Sequence, residues 1–265
     1  MTIYADLFRY RELFGSLFRR DLRAKYKGSV LGVAWSLAHP VLLMLVYLVV
    51  FSLLLEVQAV DYRHYWLFLL AGLPAWVFFA TSLQASSRSL VENANLIRKV
   101  RFPRQLVPLS MVATQLVSFA VMLAIVIAFS LVYVPEAREE VWLAVPVAAL
   151  VVCLVAGVSL AVASLNALYR DVEHVVAALL LPWFFLTPVL YSLEDVPGSD
   201  NALLVWLIHW ANFVTPAVES LRDPLFFGEA PARGDLLYLA VAAAVSLAVG
   251  AFVFRRVDDR VAVEV

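Results

Sequence analysis

Charged residues punctuate this chain into long apolar blocks. Seven stretches contain no Asp, Glu, Lys or Arg: 30–55, 65–87, 105–134, 141–169, 175–193, 203–218 and 236–254. A helix that crosses a bilayer needs about 20 apolar residues, with a range of roughly 17–25. Six of the stretches meet that length and predict six transmembrane helices. The stretch 203–218 is too short, and it holds His209, Asn212, Thr215 and Pro216. It predicts a pair of short re-entrant or interfacial helices ahead of the sixth span. Such backbone is tolerated at membrane depth only where protein buries it or where it lines a wet cavity. Ahead of the first span, Leu7, Tyr10, Phe14, Phe18 and Leu22 recur at helical spacing among Arg9, Glu12, Arg19, Arg20 and Arg23. This predicts an amphipathic helix within 3–28, lying in the inner membrane interface or, as a solvated helix, docked on a partner protein. The expected fold is therefore an all-α integral membrane protein with one domain over 1–265. It comprises the interface helix 3–28, the membrane domain 30–254 and a cytoplasmic tail 255–265.

Composition supports lipid as part of the solvent. Hydrophobic residues make up 63% of the chain and charged residues only 15%, against about a quarter charged in soluble domains. The net charge of −1 says less than its distribution. With six spans and the N-terminus inside, 1–29, 88–104, 170–174 and 255–265 are cytoplasmic and hold 16 of the 20 Lys and Arg residues. Arg63, Arg138, Arg222 and Arg233 fall outside. Positive charge favours the cytoplasmic side, so both termini are expected there. The single cysteine, Cys153, excludes an internal disulfide.

Several chemistries are missing from the sequence. No phosphate-binding loop of the nucleotide-hydrolysing type is present, and Lys27-Gly28-Ser29 has the wrong order for one. His39, His64, His174 and His209 are scattered, without metal-ligand spacing. None of the six predicted spans carries an ionisable Asp, Glu, Lys or Arg, which disfavours an ion-driven carrier. Uphill transport by such a chain would draw its energy from a separate subunit. The segment 88–104 interleaves apolar residues with five basic ones and ends its helical stretch at Pro103. That pattern suggests a docking surface. Aromatic residues are frequent in the spans. Trp35, Tyr47, Phe51, Phe184, Phe185 and Tyr191 are candidates to line a conduit, since sugar rings stack on aromatic faces. The small pairs Gly157/Ala161 and Ser246/Gly250 suit close helix packing.

The run Arg20-Asp21-Leu22-Arg23-Ala24-Lys25-Tyr26 through Leu31-Gly32-Val33-Ala34-Trp35 to Pro40 resembles the opening of the ABC permeases that export O-antigen polysaccharide and teichoic acid. Asn95-Leu96-Ile97-Arg98-Lys99-Val100-Arg101-Phe102-Pro103-Arg104 is similar to a second motif of that family. So are Tyr169-Arg170-Asp171, Thr187-Pro188-Val189-Leu190-Tyr191 and Val196-Pro197. A late motif of Asn-Pro followed by Arg is matched loosely by Asn212 to Pro216 with Glu219 and Arg222, where two residues intervene between Asn212 and Thr215. The resemblance implies a homodimer in a bacterial inner membrane, working with two copies of an ATP-binding subunit. ATP and Mg would be bound by that partner, and this chain needs no cofactor and no nucleic acid. It also implies a gate and docking role for Asn95, Arg98, Lys99, Arg101, Phe102, Pro103 and Arg104, which Tyr169, Arg170 and Asp171 would share. Arg20, Arg23, Lys25, Tyr26 and Lys27 are candidates to meet the pyrophosphate of a lipid-linked glycan. The alternatives are an ABC permease for a drug or small lipid, and a membrane-embedded enzyme acting on a polyprenyl phosphate. That enzyme would have only Glu194, Asp195, Asp200, Asp258 and Asp259 as acid/base candidates.

Overall fold

The computed structural model describes residues 5–25, 64–193 and 202–264, with single positions at 38, 42, 45, 46 and 49. Most of the expected first span thus lies outside the described residues. So do the candidates Tyr26, Lys27, Trp35, Tyr47 and Phe51, and the acidic residues Glu194, Asp195 and Asp200. Every regular element among the described residues is helical. Helices α1 (Ala5–Arg9) and α2 (Arg11–Lys25) precede α3 (Tyr65–Glu92), α4 (Ala94–Lys99) and α5 (Leu106–Tyr133). A short α6 (Ala137–Glu140) passes through a tight turn at Val141–Leu143 into α7 (Ala144–Leu168), which is followed by α8 (Val172–Leu186). The last part has α9 (Ala202–Trp206), a π-turn (Leu207–Ala211), α10 (Thr215–Arg222), a second π-turn (Asp223–Phe227) and α11 (Arg233–Glu264).

Among the described residues, four stretches are long and apolar enough to cross a membrane: Tyr65–Glu92, Leu106–Tyr133, Ala137–Leu168 and Arg233–Asp258. The fifth expected span, 175–193, is shorter than its apolar run. α8 ends at Leu186, so its 15 residues reach about 22 Å. The stop has a local cause. Pro188 disfavours helical backbone at the residue before it, and Thr187 is extended, at φ −96° and ψ 130°. The stretch 203–218 is likewise not one helix but two short ones broken at Asn212.

α3 is the centre of the bundle. It is buried nearly all round, whereas α5 and α11 leave broad apolar surfaces outward, as lipid-facing helices do. α3 packs on α5, α7 and α10, and α7 packs most extensively on α11. At the α7–α11 crossing the two backbones touch. A Cβ on Gly157 would strike the main chain of Ser246 and Leu247, and one on Gly250 would strike the carbonyl of Gly157. The small residues expected to allow close approach are thus used against each other.

Contacts fix the bundle's two ends. At one, Gln105 bonds Asp6, Arg104 bonds Asp258, and Arg88 pairs with Glu173. At the other, Tyr65 donates to the Leu190 carbonyl, His64 packs on Tyr133, and Gly228 sits against Glu136 and Ala137. The first is called the basic end below, because it carries Arg88, Arg98, Lys99, Arg101 and Arg170.

Candidate functional site

The basic end presents two turns side by side. α3 gives way to α4 at Asn93, whose side chain donates to the Ser89 carbonyl at 2.8 Å. The second turn joins α7 to α8 through Tyr169, Arg170 and Asp171. Asn166 holds the two together: its Nδ2–H donates to the Ser87 carbonyl at 2.8 Å, and its Oδ1 accepts from the Glu173 N–H at 2.9 Å. Arg88 lies 3.7 Å from Glu173 across the same seam. Asn95, Arg98, Lys99, Arg101, Tyr169, Arg170 and Asp171 are exposed on this joined surface. Phe102 and Pro103 are half-buried, and Phe102 packs against a core cluster that includes Ile97, Leu106 and Phe254. Arg104 differs from the other basic candidates. Its guanidinium turns to α11, where Nη1 bonds the Asp258 carboxylate at 3.0 Å and the Asp258 carbonyl.

α2 lies along the start of α5, so the amphipathic helix is docked on this chain. Leu17 is buried, and Leu13 and Phe14 pack with it against the same cluster. Polar contacts fix the register. Asp21, buried although charged, accepts from Ser110 at 2.8 Å and is chelated by Arg20. Lys25 donates to Gln115 at 2.9 Å. The charge-assisted bonds from Arg20 compensate the Asp21 carboxylate for lost water. Two headgroup candidates, Arg20 and Lys25, therefore already have protein partners. Arg19, Arg20 and Arg23 nevertheless line an open cleft of about 600 Å3 with Ser16.

The other half of the candidate site is the broken segment that follows α8. Phe184 is buried against Trp76, and the two border an open cleft of about 360 Å3 between α3 and α8. Phe185 is exposed, and Tyr191 is half-buried with its hydroxyl 3.3 Å from the Phe185 carbonyl. A groove of about 500 Å3 opens between α8 and the turn before Asn212, lined by Leu179, Pro182, Leu186, Leu207 and Phe213. Asn212 satisfies the broken backbone around it. Its Oδ1 accepts from the Trp183 indole at 2.8 Å and from the Val214 N–H, while its Nδ2 donates to Thr187 Oγ1 at 2.9 Å. From there the chain rises along α3: Phe213 packs on Phe79, Val218 faces Gly72, and Phe226 packs on Phe68.

Arg222 is the residue that the sequence pattern misplaced, as an outer loop charge. It is 2% exposed. Its Nη2 donates to the carbonyls of Pro188 at 2.7 Å and Val189 at 3.0 Å, and its guanidinium carbon lies 3.9 Å from the Phe68 ring centroid. Gly72 leaves it room, since a Cβ there would meet Nη2 at 2.6 Å. The signal was available: Arg222 shares a helical face with Val218, and Leu225 follows one turn on, both apolar and buried. Nearby, His209 bonds Asp235. Burial drives the Asp223 carboxyl up to about 7, against a bond from the Ala232 N–H.

The chain belongs to the ABC-2 type transporter family of membrane proteins, whose profile matches residues 12–226. An O-antigen export system permease protein, RfbA, from Myxococcus xanthus is 30% identical over 254 residues, covering 96% of this chain and 95% of that one. A protein of the same name from Klebsiella pneumoniae is 33% identical over 197 residues, 74% of each chain. The polysialic acid transport protein KpsM of Escherichia coli is 23% identical over 257 residues, covering 92% of this chain and 93% of its own.

Proposed function

We propose that this chain is the membrane subunit of an ATP-driven exporter of a lipid-linked polysaccharide, in a bacterial inner membrane. Its permease relatives are named for O-antigen export and polysialic acid transport. The observation that carries the reading is the surface shared by the exposed basic segment with Arg98, Lys99 and Arg101 and the exposed turn Tyr169-Arg170-Asp171, whose helices are fastened by Asn166 and Arg88–Glu173. A separate ATP-binding subunit, two copies to a homodimer of this chain, would press on both turns at once. ATP and Mg would be held by that subunit.

Six spans with both termini inside fit the contacts. Leu190 and Phe226 both belong to the end opposite the basic turns, so the intervening segment leaves and returns on the same side. Phe213 sits level with Phe79, which lies about 21 Å along α3 from its start. The turn at Asn212 is therefore proposed to be re-entrant, reaching near mid-bilayer before α10 climbs back. Arg19 and Arg23 would meet the anionic headgroup at the inner interface. The apolar groove beside α8 would border the path, with Phe185 and Tyr191 near it. The alternative of a membrane-embedded enzyme is weakened at Asp258, whose carboxylate is held by Arg104.

Co-reconstitution with an ATP-binding subunit and a polyprenyl-linked glycan tests this. ATP-dependent appearance of glycan on the far side is expected. Replacing Arg98, Lys99 and Arg101 together with Ala should cut coupled ATP turnover. Transport by this chain alone, without an ATP-hydrolysing companion, would overturn the proposal.

A further inference from the structure

We infer that α7 and α11 form one rigid strut that ties the docking turns at the basic end to the broken segment at the far end, with Arg104–Asp258 and His209–Asp235 as its two couplings. The inference rests on the exporter reading above, because it assigns how a push on the docking turns reaches the far side.

Rigidity comes from the crossing at Gly157. The backbones of the two helices touch there, and neither glycine tolerates a Cβ. Sliding α11 by one residue would bring the side chain of Leu247 or Val249 to a place where only main chain fits. Close-packed contacts of this kind do not deform continuously. Apolar contact continues on both sides of the crossing. Leu160, Ala163 and Ala167 share a core cluster with Phe254 and Val257, and Val151 and Leu154 share another with Leu239 and Ala243.

The strut holds both docking turns by different means. Tyr169 follows α7 directly, with its N–H still bonded to the Leu165 carbonyl. The turn at 100–104 has no such continuity with either helix and is strapped to α11 by Arg104, through both the carboxylate and the carbonyl of Asp258. At the far end α11 grips the π-turn before Asn212. His209 bonds Asp235, and the Tyr238 hydroxyl donates to the Trp210 carbonyl at 2.8 Å. That turn carries Leu207 and Ile208, which line the groove beside α8. A displacement of the strut therefore moves the groove wall directly. Arg104 is accordingly a positioning residue, with its charge directed at α11 rather than at a partner.

The Arg104–Asp258 pair is partly solvent-exposed. Pairs of that kind add little to stability, so they can be broken without unfolding the chain. In proteoliposomes with the ATP-binding partner, Asp258→Ala should keep hydrolysing ATP while glycan exported per ATP falls about tenfold. Asp235→Asn should give the same signature from the other end. The exchanged pair, Arg104→Asp with Asp258→Arg, should recover most of the export. Wild-type yield per ATP in both single variants, or no recovery in an exchanged pair that assembles at the normal level, would overturn the strut. A wild-type chain that exports nothing with ATP would instead overturn the function itself. Spin labels at Val145 on α7 and Leu237 on α11, both exposed, give an independent measure. Their separation should hold between nucleotide-free and ATP-trapped states; a shift of about one helical turn, 5.4 Å, would show the two helices ratcheting past each other.

Discussion

Two charged side chains near the far end have opposite consequences for stability. Arg222 is buried, and it closes the end of α8 by bonding two carbonyls that its broken backbone leaves open. Arg222→Met would remove the donor and leave those carbonyls buried. A loss of about 1–3 kcal/mol for each stranded carbonyl is expected, seen as a lower melting temperature in detergent. Arg222→Lys should recover only part of it, because an ammonium lacks the planar fork. Asp223 is the reverse case, since its burial penalises the charged form. Its folded pKa of about 7 lies above the ordinary 3.8, so the folded chain binds the proton more tightly than the unfolded one. Stability from this group is fully present below the ordinary value and is lost as pH rises through the folded one. Asp223→Asn keeps an oxygen for the Ala232 N–H and removes the charge. Its melting temperature should exceed that of the wild type at about pH 8 and vary less between about pH 5 and pH 7. An unchanged pH slope would show that Asp223 titrates normally.

At the scale of elements, the same residue type has different meanings at different sites. Gly157 lies where two helices touch, and Gly250 opposes it. Gly157→Leu should abolish the α7–α11 contact and sharply reduce the yield of folded protein on size exclusion. Gly15, in the middle of α2, would bring an added Cβ no closer than 3.9 Å to a neighbour, the Arg19 side chain. Gly15→Ala should therefore stabilise by about 0.5–1 kcal/mol, since glycine in a helix interior costs that much relative to alanine. The small-residue pairs, the amphipathic N-terminal helix and the four described long spans were legible in charge spacing and period alone, because those patterns are local. The shortening of α8 was legible only in part. Pro188 marks a break, but the run of apolar residues through Leu193 hides it. The burial of Arg222 was legible only through the apolar Val218 and Leu225 on its helical face, and the inward turn of Arg104 was not legible. Both depend on which helix lies opposite, and a charge in a connecting segment looks the same in sequence whether it meets water or a carbonyl.

At the scale of the whole molecule, the number of spans and their direction reduce to which segments share a side. Arg104 at Asp258 and Arg88 at Glu173 put the ends of α3, α7 and α11 together with the start of α5. Gly228 against Glu136 and Ala137 puts the loops before α7 and before α11 together at the opposite end. In a six-span chain with re-entrant α9 and α10, Lys99 must then face the cytoplasm while Glu139 and Glu229 both face outward. If 203–218 crossed the bilayer instead, the loop holding Glu229 would change sides relative to Glu139. Single cysteines at these three exposed positions, in a chain whose only native thiol is removed by Cys153→Ala, distinguish the arrangements. A membrane-impermeant maleimide added to intact spheroplasts should label the cysteines at 139 and 229 and leave the one at 99 untouched until the membrane is opened. The concentration of Lys and Arg at the basic end favours that direction on independent grounds, since positive charge is retained on the cytoplasmic side. Labelling at 139 without labelling at 229 would require a crossing at 203–218 and would separate Gly228 from Glu136, so the packing of the far end and the topology stand or fall on the same measurement.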